Sequence, residues 1–208
     1  MRLNLEDPKV WDRWRDLYYV LTHDENIEFG NAIEAKYHNQ NSYTVSNFDH
    51  LFKNCAKPFS RVLEIGGWKG ELAQHCLSKY TIISWLNVDM CKAAVDKSVC
   101  KDLRYLARFP NRFDWFEEKR SDKFDICISA HAIEHLSDQH LEQLIKYISG
   151  IPLVIFEAPI SMERNDWSGY QGTHILKYGW NDVNRVMAEH GYQFEKLNDF
   201  CFVYRKNV

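Results

Sequence analysis

Residues 61–70 read RVLEIGGWKG, and this stretch decides the fold. The apolar residues Val62, Leu63 and Ile65 predict a buried strand, and the three glycines that follow predict a tight turn. The next segment, ELAQHCLSKY, has apolar residues at helical spacing. Glycine has no side chain and tolerates positive φ, while the first turn of a helix presents N–H groups without helical partners. The stretch therefore predicts a place where a ligand approaches the backbone closely.

The composition is that of one compact domain. The chain has 208 residues, of which 45% are hydrophobic, so it can bury roughly 70% of its unfolded surface. The net charge of −3 is spread over interspersed acids and bases, which disfavours a nucleic-acid partner. Helical patterns lie before residue 57. We therefore predict a single domain over residues 1–208, with a helical cap over 1–56 and a core over 57–208.

The cysteines and the apolar segments bear on the compartment in which the protein works. The six cysteines are scattered, without a CxxC pair, and several lie in apolar runs, so we interpret them as reduced core thiols. The N-terminal sequence has no apolar segment of signal-peptide length, and no run of eighteen apolar residues occurs. These patterns predict a soluble, cytoplasmic protein without a membrane partner, and they leave the oligomeric state open.

A second buried strand is predicted in TIISWLNVDM, residues 81–90. It ends at Asp89, nineteen residues beyond Gly70. An acid at this position can accept hydrogen bonds from a ribose diol, as in dinucleotide-binding folds. The alternative is that Asp89 caps the following helix, and the two roles are compatible. A third strand is predicted between residues 102 and 109.

A second motif lies in FDICISAHAIEHL, residues 124–136. Residues 124–129 predict a strand, the turn after it carries His131, Glu134 and His135, and Ser137 is the expected N-cap of the helix DQHLEQLIKYIS. A fifth strand, IPLVIFEAP, is followed by a long loop, a helix that Gly191 closes, and a final hairpin of YQFEKL and FCFVYRK.

The two motifs together resemble those of class I S-adenosylmethionine-dependent methyltransferases. In the first motif, Glu64 is followed by one residue and then by Gly66, Gly67 and Gly70. The second motif, about sixty residues later, is a strand that begins with FD and is followed by xxEHL. A nicotinamide fingerprint, GxGxxG, fits these glycines less well. Trp68 occupies the position of the family's usual middle glycine, so either the turn shifts onto Gly67 or the indole lines the cofactor pocket.

The resemblance covers about residues 44–208 and implies the fold and the cofactor. The fold is a doubly wound, mostly parallel α/β sheet of seven strands, with a C-terminal antiparallel hairpin and an N-terminal helical cap. The cofactor is S-adenosylmethionine. Asp114 is our candidate for contacting the adenine, and Tyr37 for reaching the ligand from the cap. The expected cofactor-binding residues are Glu64, Gly66, Gly67, Trp68, Gly70, Asp89, Met90, Asp114, Ser129 and Tyr37.

The implied reaction is methylation of an oxygen or nitrogen atom in a small-molecule acceptor. The chain lacks the Asn/Asp-Pro-Pro-aromatic motif of base N-methyltransferases and the Pro-Cys nucleophile of cytosine C-methyltransferases. Methyl transfer requires positioning, and a hydroxyl acceptor also requires a base. The expected catalytic residues are His131, His174, Glu134 and His135. The acceptor is expected between the turn at 131–135 and the loop at 159–180, where Trp167, Tyr170, Tyr178 and Trp180 supply aromatic rings.

Two alternatives stay open. With His174, the residues His131, Glu134 and His135 are similar to the metal ligands of small-RNA 2′-O-methyltransferases, although His131 replaces a Glu of that family. A metal-assisted RNA 2′-O-methyltransferase is thus one alternative, while a site without a metal is the main expectation. The other alternative is a catalytically silent, methyltransferase-like binding domain, for which Trp68 is the support.

Overall fold

The structure is a computed structural model, and it describes residues 53, 58, 60–89, 123–165, 174 and 176–207, together with the backbone of 103–105. The predicted helical cap lies outside the described residues, apart from Lys53. Three of the predicted cofactor-binding residues, Tyr37, Met90 and Asp114, also lie outside them.

The described residues form a mixed α/β structure. The strands are β1 (Ser60–Ile65), β2 (Ile82–Asp89), β3 (Leu103–Tyr105), β4 (Ile126–Ala130), β5 (Leu153–Glu157), β6 (Tyr192–Asn198) and β7 (Cys201–Lys206). The helices are α1 (Glu71–Lys79), α2 (Asp138–Ile148) and α3 (Trp180–Glu189), and a short 3-10 helix covers Ile133–His135. Within this described part of the chain, no helix has the length and apolarity to cross a membrane.

One seven-stranded sheet has the order β3-β2-β1-β4-β5-β7-β6. Strands β1 to β5 run parallel, whereas β7 is antiparallel to both β5 and β6. The prediction of a mixed α/β sheet is confirmed. The strand order reverses between β1 and β4, and ligands of open α/β sheets bind outside the carboxyl ends of the strands at such a point. Two turns leave the sheet at this edge: the glycine turn, residues 66–70, follows β1, and the histidine turn, residues 131–135, follows β4.

The central strands β1, β4 and β5 are buried on both faces of the sheet. Successive residues of β1 alternate between the two apolar clusters, Val62 in one and Leu63 in the other. The first cluster also holds Leu72, Ala73 and Cys76 of α1. The second receives four residues from each of the other helices: Leu141, Leu144, Ile145 and Ile148 of α2, and Trp180, Val183, Val186 and Met187 of α3. Continuous apolar runs such as β1 are typical of parallel strands covered by helices on both sides.

Two local features show how the motifs are fixed. The predicted N-cap of α2 is confirmed, since the Ser137 hydroxyl accepts a hydrogen bond from His140 N at 3.2 Å. Strand β4 begins at Ile126, two residues later than predicted. The preceding Asp125 instead binds Arg61, whose backbone N and Nε donate to Oδ2 at 2.8 and 3.0 Å. The hydrogen bond from Arg61 lowers the pKa of Asp125.

Candidate active site

The glycine turn after β1 packs directly against the turn after β4. Gly66 and Gly70 have φ of 73° and 77°, in the left-handed region that favours glycine. Gly66 N donates to Val88 O at 2.7 Å, and Gly70 N donates to Gly67 O at 2.8 Å. A Cβ atom on Gly66 would lie 2.3 Å from the Cβ of Ala132. The turn therefore needs glycine at this position, and its backbone lies directly against Ala132 of the histidine turn.

Trp68, at the position where the resemblance expects a glycine, has a left-handed backbone conformation that favours glycine. Its φ is 49°, which is rare for a bulky residue, whereas Gly67 is not among the described positive-φ residues. The Trp68 N–H donates to Asp89 Oδ2 at 2.8 Å, and Asn87 Nδ2 donates to the Trp68 carbonyl at 3.5 Å. The turn has thus kept its register rather than shifted onto Gly67.

Two acids fix the turn from the ends of β1 and β2. Glu64 is almost fully buried, and its Oε2 accepts a hydrogen bond from Trp85 Nε1 at 2.8 Å. A Cβ atom on Gly67 would lie 2.3 Å from the carboxyl carbon of Glu64. Asp89 is also buried and holds the backbone of Trp68. Both acids support the turn, and their contact with a cofactor stays a prediction.

The buried carboxyl of Glu64 makes stability depend on pH. Burial raises its pKa from 4.5 to about 7, while the Trp85 hydrogen bond opposes the rise. The native state then holds a proton that the unfolded state has lost, so stability falls as pH rises from about 4.5 to 7. We expect this group to remove roughly 3 kcal/mol of unfolding free energy over that interval.

The Glu64→Gln side chain keeps an oxygen for the Trp85 indole but cannot ionise. The variant should therefore lose less unfolding free energy between pH 5 and pH 7.5 than the wild-type protein does, as measured by urea unfolding. The exposed Glu195→Gln variant is the control and should follow the wild-type pH dependence. Equal pH dependence in all three proteins would contradict a raised pKa at Glu64.

His131 lies over two buried carboxylates. It follows β4 with φ of 53°, and its backbone N donates to Glu157 O at the end of β5, at 2.8 Å. Its Nδ1 lies 3.6 Å from Glu134 Oε1, and its Nε2 lies 3.9 Å from Glu157 Oε1. The imidazole is 41% exposed, whereas the two carboxylates are only 2% and 4% exposed. His131 is therefore the member of this trio that faces solvent.

Charge interactions stabilise the ionised forms of His131 and Glu134. The hydrogen-bonding contact with Glu134 raises the pKa of His131, against the effect of burial. Burial alone would raise the pKa of Glu134, but His131 and His135 together hold it below its ordinary value. Among the residues that the structure describes, Glu134 Oε2 is buried without a hydrogen-bond partner. The site thus contains a buried anionic oxygen with unused accepting capacity.

His174 comes from the long loop and meets the same turn. Its ring centroid lies 5.0 Å from that of His135, in an edge-to-face arrangement. Leu176 N donates to Glu134 O at 3.2 Å, which holds the loop on the turn. Burial and the charge of His135 lower the pKa of His174 to about 4, so its ring is neutral at pH 7. The ligand atoms of Glu134, His135 and His174 lie within 4.8 Å of one another, and their types fit a divalent metal ion.

Asp138 fastens the loop to the first turn of α2. Its Oδ1 accepts from Lys177 N at 2.7 Å and from Tyr178 N at 3.0 Å, and its Oδ2 accepts from Arg164 Nη2 at 3.0 Å. Of the four predicted aromatic residues of the acceptor loop, Trp167 and Tyr170 lie outside the described residues. Trp180 is fully buried and packs on Phe202 in the core, so it does not line a pocket.

The structure brings the four predicted catalytic residues together, and it adds residues that the sequence analysis missed. These are Glu157, which contacts His131, Asn87, which accepts a hydrogen bond from Gly67 N, and Asp138, which accepts one from Lys177 N. The sequence signal for Glu157 was an acid at the end of the apolar run IPLVIFE. The predicted residue Ser129 is fully buried, and its hydroxyl donates to Ile65 O at 3.2 Å. Its role here is to join β4 to β1, and contact with a cofactor stays a prediction.

No protein-family model and no curated protein sequence matches this chain. Many solved structures match its fold. An S-adenosylmethionine-dependent methyltransferase from Archaeoglobus fulgidus matches with a TM-score of 0.63 and 15% identity, over 84% of this chain and 98% of that one. The chain has the class I methyltransferase fold.

Two further methyltransferases share this fold. An O-methyltransferase family protein from Burkholderia thailandensis matches with a TM-score of 0.66 and 11% identity, over 93% of this chain and 63% of that one. The third is phosphoethanolamine N-methyltransferase 2 of Haemonchus contortus, in complex with phosphomonomethylethanolamine and S-adenosylhomocysteine. It matches with a TM-score of 0.64 and 14% identity, over 91% of this chain and 61% of that one. Such identities establish the methyltransferase fold, and the activity has to be argued from the site.

Proposed function

We propose that this chain is an S-adenosylmethionine-dependent methyltransferase that acts on an oxygen or nitrogen atom of a small-molecule acceptor. The observation that carries the proposal is the packing of Gly66 on Ala132, where an added Cβ would lie only 2.3 Å away. A cofactor bound at the glycine turn would therefore lie beside His131, Glu134 and Glu157. Bound S-adenosylhomocysteine in the Haemonchus contortus enzyme of the same fold supports the choice of cofactor.

The residues of the turn fit the cofactor. The glycine turn offers a backbone that a ligand can approach, and the first turn of α1 offers N–H groups for an anionic group. Asp89, at the carboxyl end of β2, is our candidate for the ribose diol. When bound, the cofactor supplies an electrophilic methyl carbon on a sulfonium. The chain's own task is to hold the acceptor in line with that carbon, exclude water and take up a proton.

Isothermal calorimetry with S-adenosylmethionine and S-adenosylhomocysteine tests the proposal. We expect both to bind, and we expect Asp89→Ala to weaken binding roughly 10- to 100-fold, because the ribose loses a charged acceptor and Trp68 N loses its partner. Asp199→Ala, in the exposed turn between β6 and β7, is the control and should bind as the wild type does. Unchanged affinity in Asp89→Ala would assign the ribose to another residue, and binding of NADH in place of S-adenosylmethionine would overturn the function.

His131 is better suited than His174 to act as the base. A base works best when its pKa lies near the working pH. The pKa of His174 is about 4, which makes its neutral ring a weak base, whereas Glu134 raises the pKa of His131. His131 is also the exposed member of its trio. We assign proton uptake to His131, and to Glu134 and Glu157 the orientation of its ring.

A metal-assisted RNA 2′-O-methyltransferase is the second candidate. The grouping of Glu134, His135 and His174 within 4.8 Å favours it, because a divalent ion there would acidify a bound hydroxyl. The net charge of −3 weighs against it, since nucleic-acid affinity depends on basic contacts to phosphates. Loss of activity in EDTA that Mn²⁺ or Mg²⁺ restores would favour this candidate. The silent-domain alternative rests on Trp68, and failure of the chain to bind S-adenosylmethionine in the calorimetry would favour it.

A further inference from the structure

We propose that the acceptor is an amine that binds as a cation, and that Glu134 and Glu157 select it. This inference rests on the proposed function and narrows its acceptor from oxygen or nitrogen to nitrogen. It assigns to Glu157, at the end of β5, a role in acceptor selection.

Both carboxylates lie at the carboxyl edge of the sheet, where the proposed acceptor site is: Glu134 follows β4 and Glu157 ends β5. Ala130 of β4 pairs with Glu157 of β5, and the next residue, His131, donates its backbone N–H to Glu157 O at 2.8 Å. The two carboxylates approach opposite nitrogens of one imidazole, at 3.6 and 3.9 Å. His131 is held there with φ of 53°, and backbone conformations of this kind in non-glycine residues cluster at functional sites.

The charges of this trio favour a cation and oppose an anion. One imidazole faces two carboxyl groups, so acidic groups outnumber basic groups in this trio. Both carboxylates are almost completely buried, so water screens them weakly. A hydroxyl acceptor would develop negative charge beside them, whereas an ammonium would be attracted. Glu134 Oε2 has no partner among the described residues, and an N–H donor of the acceptor would supply one.

The reaction balances with these groups. The ammonium gives one proton to neutral His131, and the freed lone pair on nitrogen forms a bond to the methyl carbon. The carbon–sulfur bond breaks and its electron pair stays on sulfur, which leaves neutral S-adenosylhomocysteine. The positive charge of the sulfonium passes to the methylated nitrogen. The product is again a cation beside the two carboxylates.

The test uses the full chain, tritiated S-adenosylmethionine and pairs of acceptors that share one carbon skeleton. Suitable pairs are benzylamine with benzyl alcohol, tryptamine with tryptophol, and ethanolamine with ethylene glycol. We expect methyl transfer to amines in preference to alcohols, insensitive to EDTA. Glu157→Gln should lower kcat/KM for the best amine about 10- to 100-fold, while the Kd values of S-adenosylmethionine and S-adenosylhomocysteine stay unchanged. Glu195→Gln removes a negative charge on the exposed strand β6 and should match the wild type.

Circular dichroism and the cofactor Kd show whether Glu157→Gln is folded, and Glu134→Gln gives a second variant of the same charge. Preference for an alcohol, wild-type amine kinetics in both glutamine variants, or binding of S-adenosylmethionine without transfer to any amine would each overturn the inference. So would a loss of affinity for S-adenosylmethionine but not for S-adenosylhomocysteine, because the carboxylates would then serve the sulfonium. Failure of the wild-type chain to bind S-adenosylmethionine would instead overturn the proposed function.

Discussion

His131→Ala is expected to lower turnover roughly 10²- to 10⁴-fold, which is the usual contribution of a positioned acid or base. The cofactor affinity should stay nearly unchanged, because the contacts described for the His131 side chain are with Glu134 and Glu157 and not with the glycine turn. His174→Ala should cost about tenfold or less, since a ring with a pKa of about 4 is a poor base. Single-turnover kinetics with labelled S-adenosylmethionine measure both effects. His190→Ala, at the end of α3, is the matched control and should react at the wild-type rate.

The reverse ranking would identify different chemistry. If His174→Ala costs more than His131→Ala, and EDTA lowers wild-type activity to the same level, then Glu134, His135 and His174 hold a metal ion. If both alanine variants react at the wild-type rate, neither histidine takes the proton, and positioning of the acceptor would account for the rate.

Gly66→Ala is expected to lower the free energy of unfolding by about 4 kcal/mol. The new Cβ would meet Ala132 Cβ at 2.3 Å, and alanine would be forced to a φ of +73°. Urea unfolding followed by circular dichroism measures the loss. Gly191→Ala isolates the backbone strain, because its φ is +82° but the nearest atom outside its chain neighbours lies 3.6 Å away. That variant should lose only about 1 kcal/mol.

A double variant separates the clash from the strain. Ala132→Gly removes the opposing methyl group, so Gly66→Ala with Ala132→Gly should regain most of the difference between the Gly66 and Gly191 variants. Equal losses in Gly66→Ala and Gly191→Ala would show that the two turns do not pack as closely as described, and the proximity of cofactor and acceptor sites would lose its basis.

The elements of the sheet were predictable because their signals are local. The apolar run at Val62, the glycines after it and the Ser137 cap each act within a few residues of sequence. The grouping of His131 with Glu134 was also predicted, from their spacing of three residues in a helical turn. In the structure, however, His131 precedes the short helix Ile133–His135 and reaches Glu134 from a left-handed backbone conformation. These signals predicted a mostly parallel sheet with both turns at one edge.

The partners across the sheet were not predictable from local patterns. Glu157 meets His131 because Ala130 and Glu157 share one register position, and register depends on the whole sheet. The bond from Trp85 to Glu64 joins residues twenty-one apart for the same reason. The left-handed conformation of Trp68 opposes its own preference and is fixed by the surroundings of the turn, including Asn87 and Asp89. Long-range contacts thus determine the chemistry of a site whose position the sequence reveals.

The position of β7 has a consequence for synthesis of the chain. Cys201–Lys206 lies between β5 and β6 and supplies Phe202, Val203 and Tyr204 to the two cores. Until these residues leave the ribosome, β5 has no neighbour on one side and its apolar edge is unpaired. The sheet can therefore close only when β7 is made, 44 residues after the end of β5.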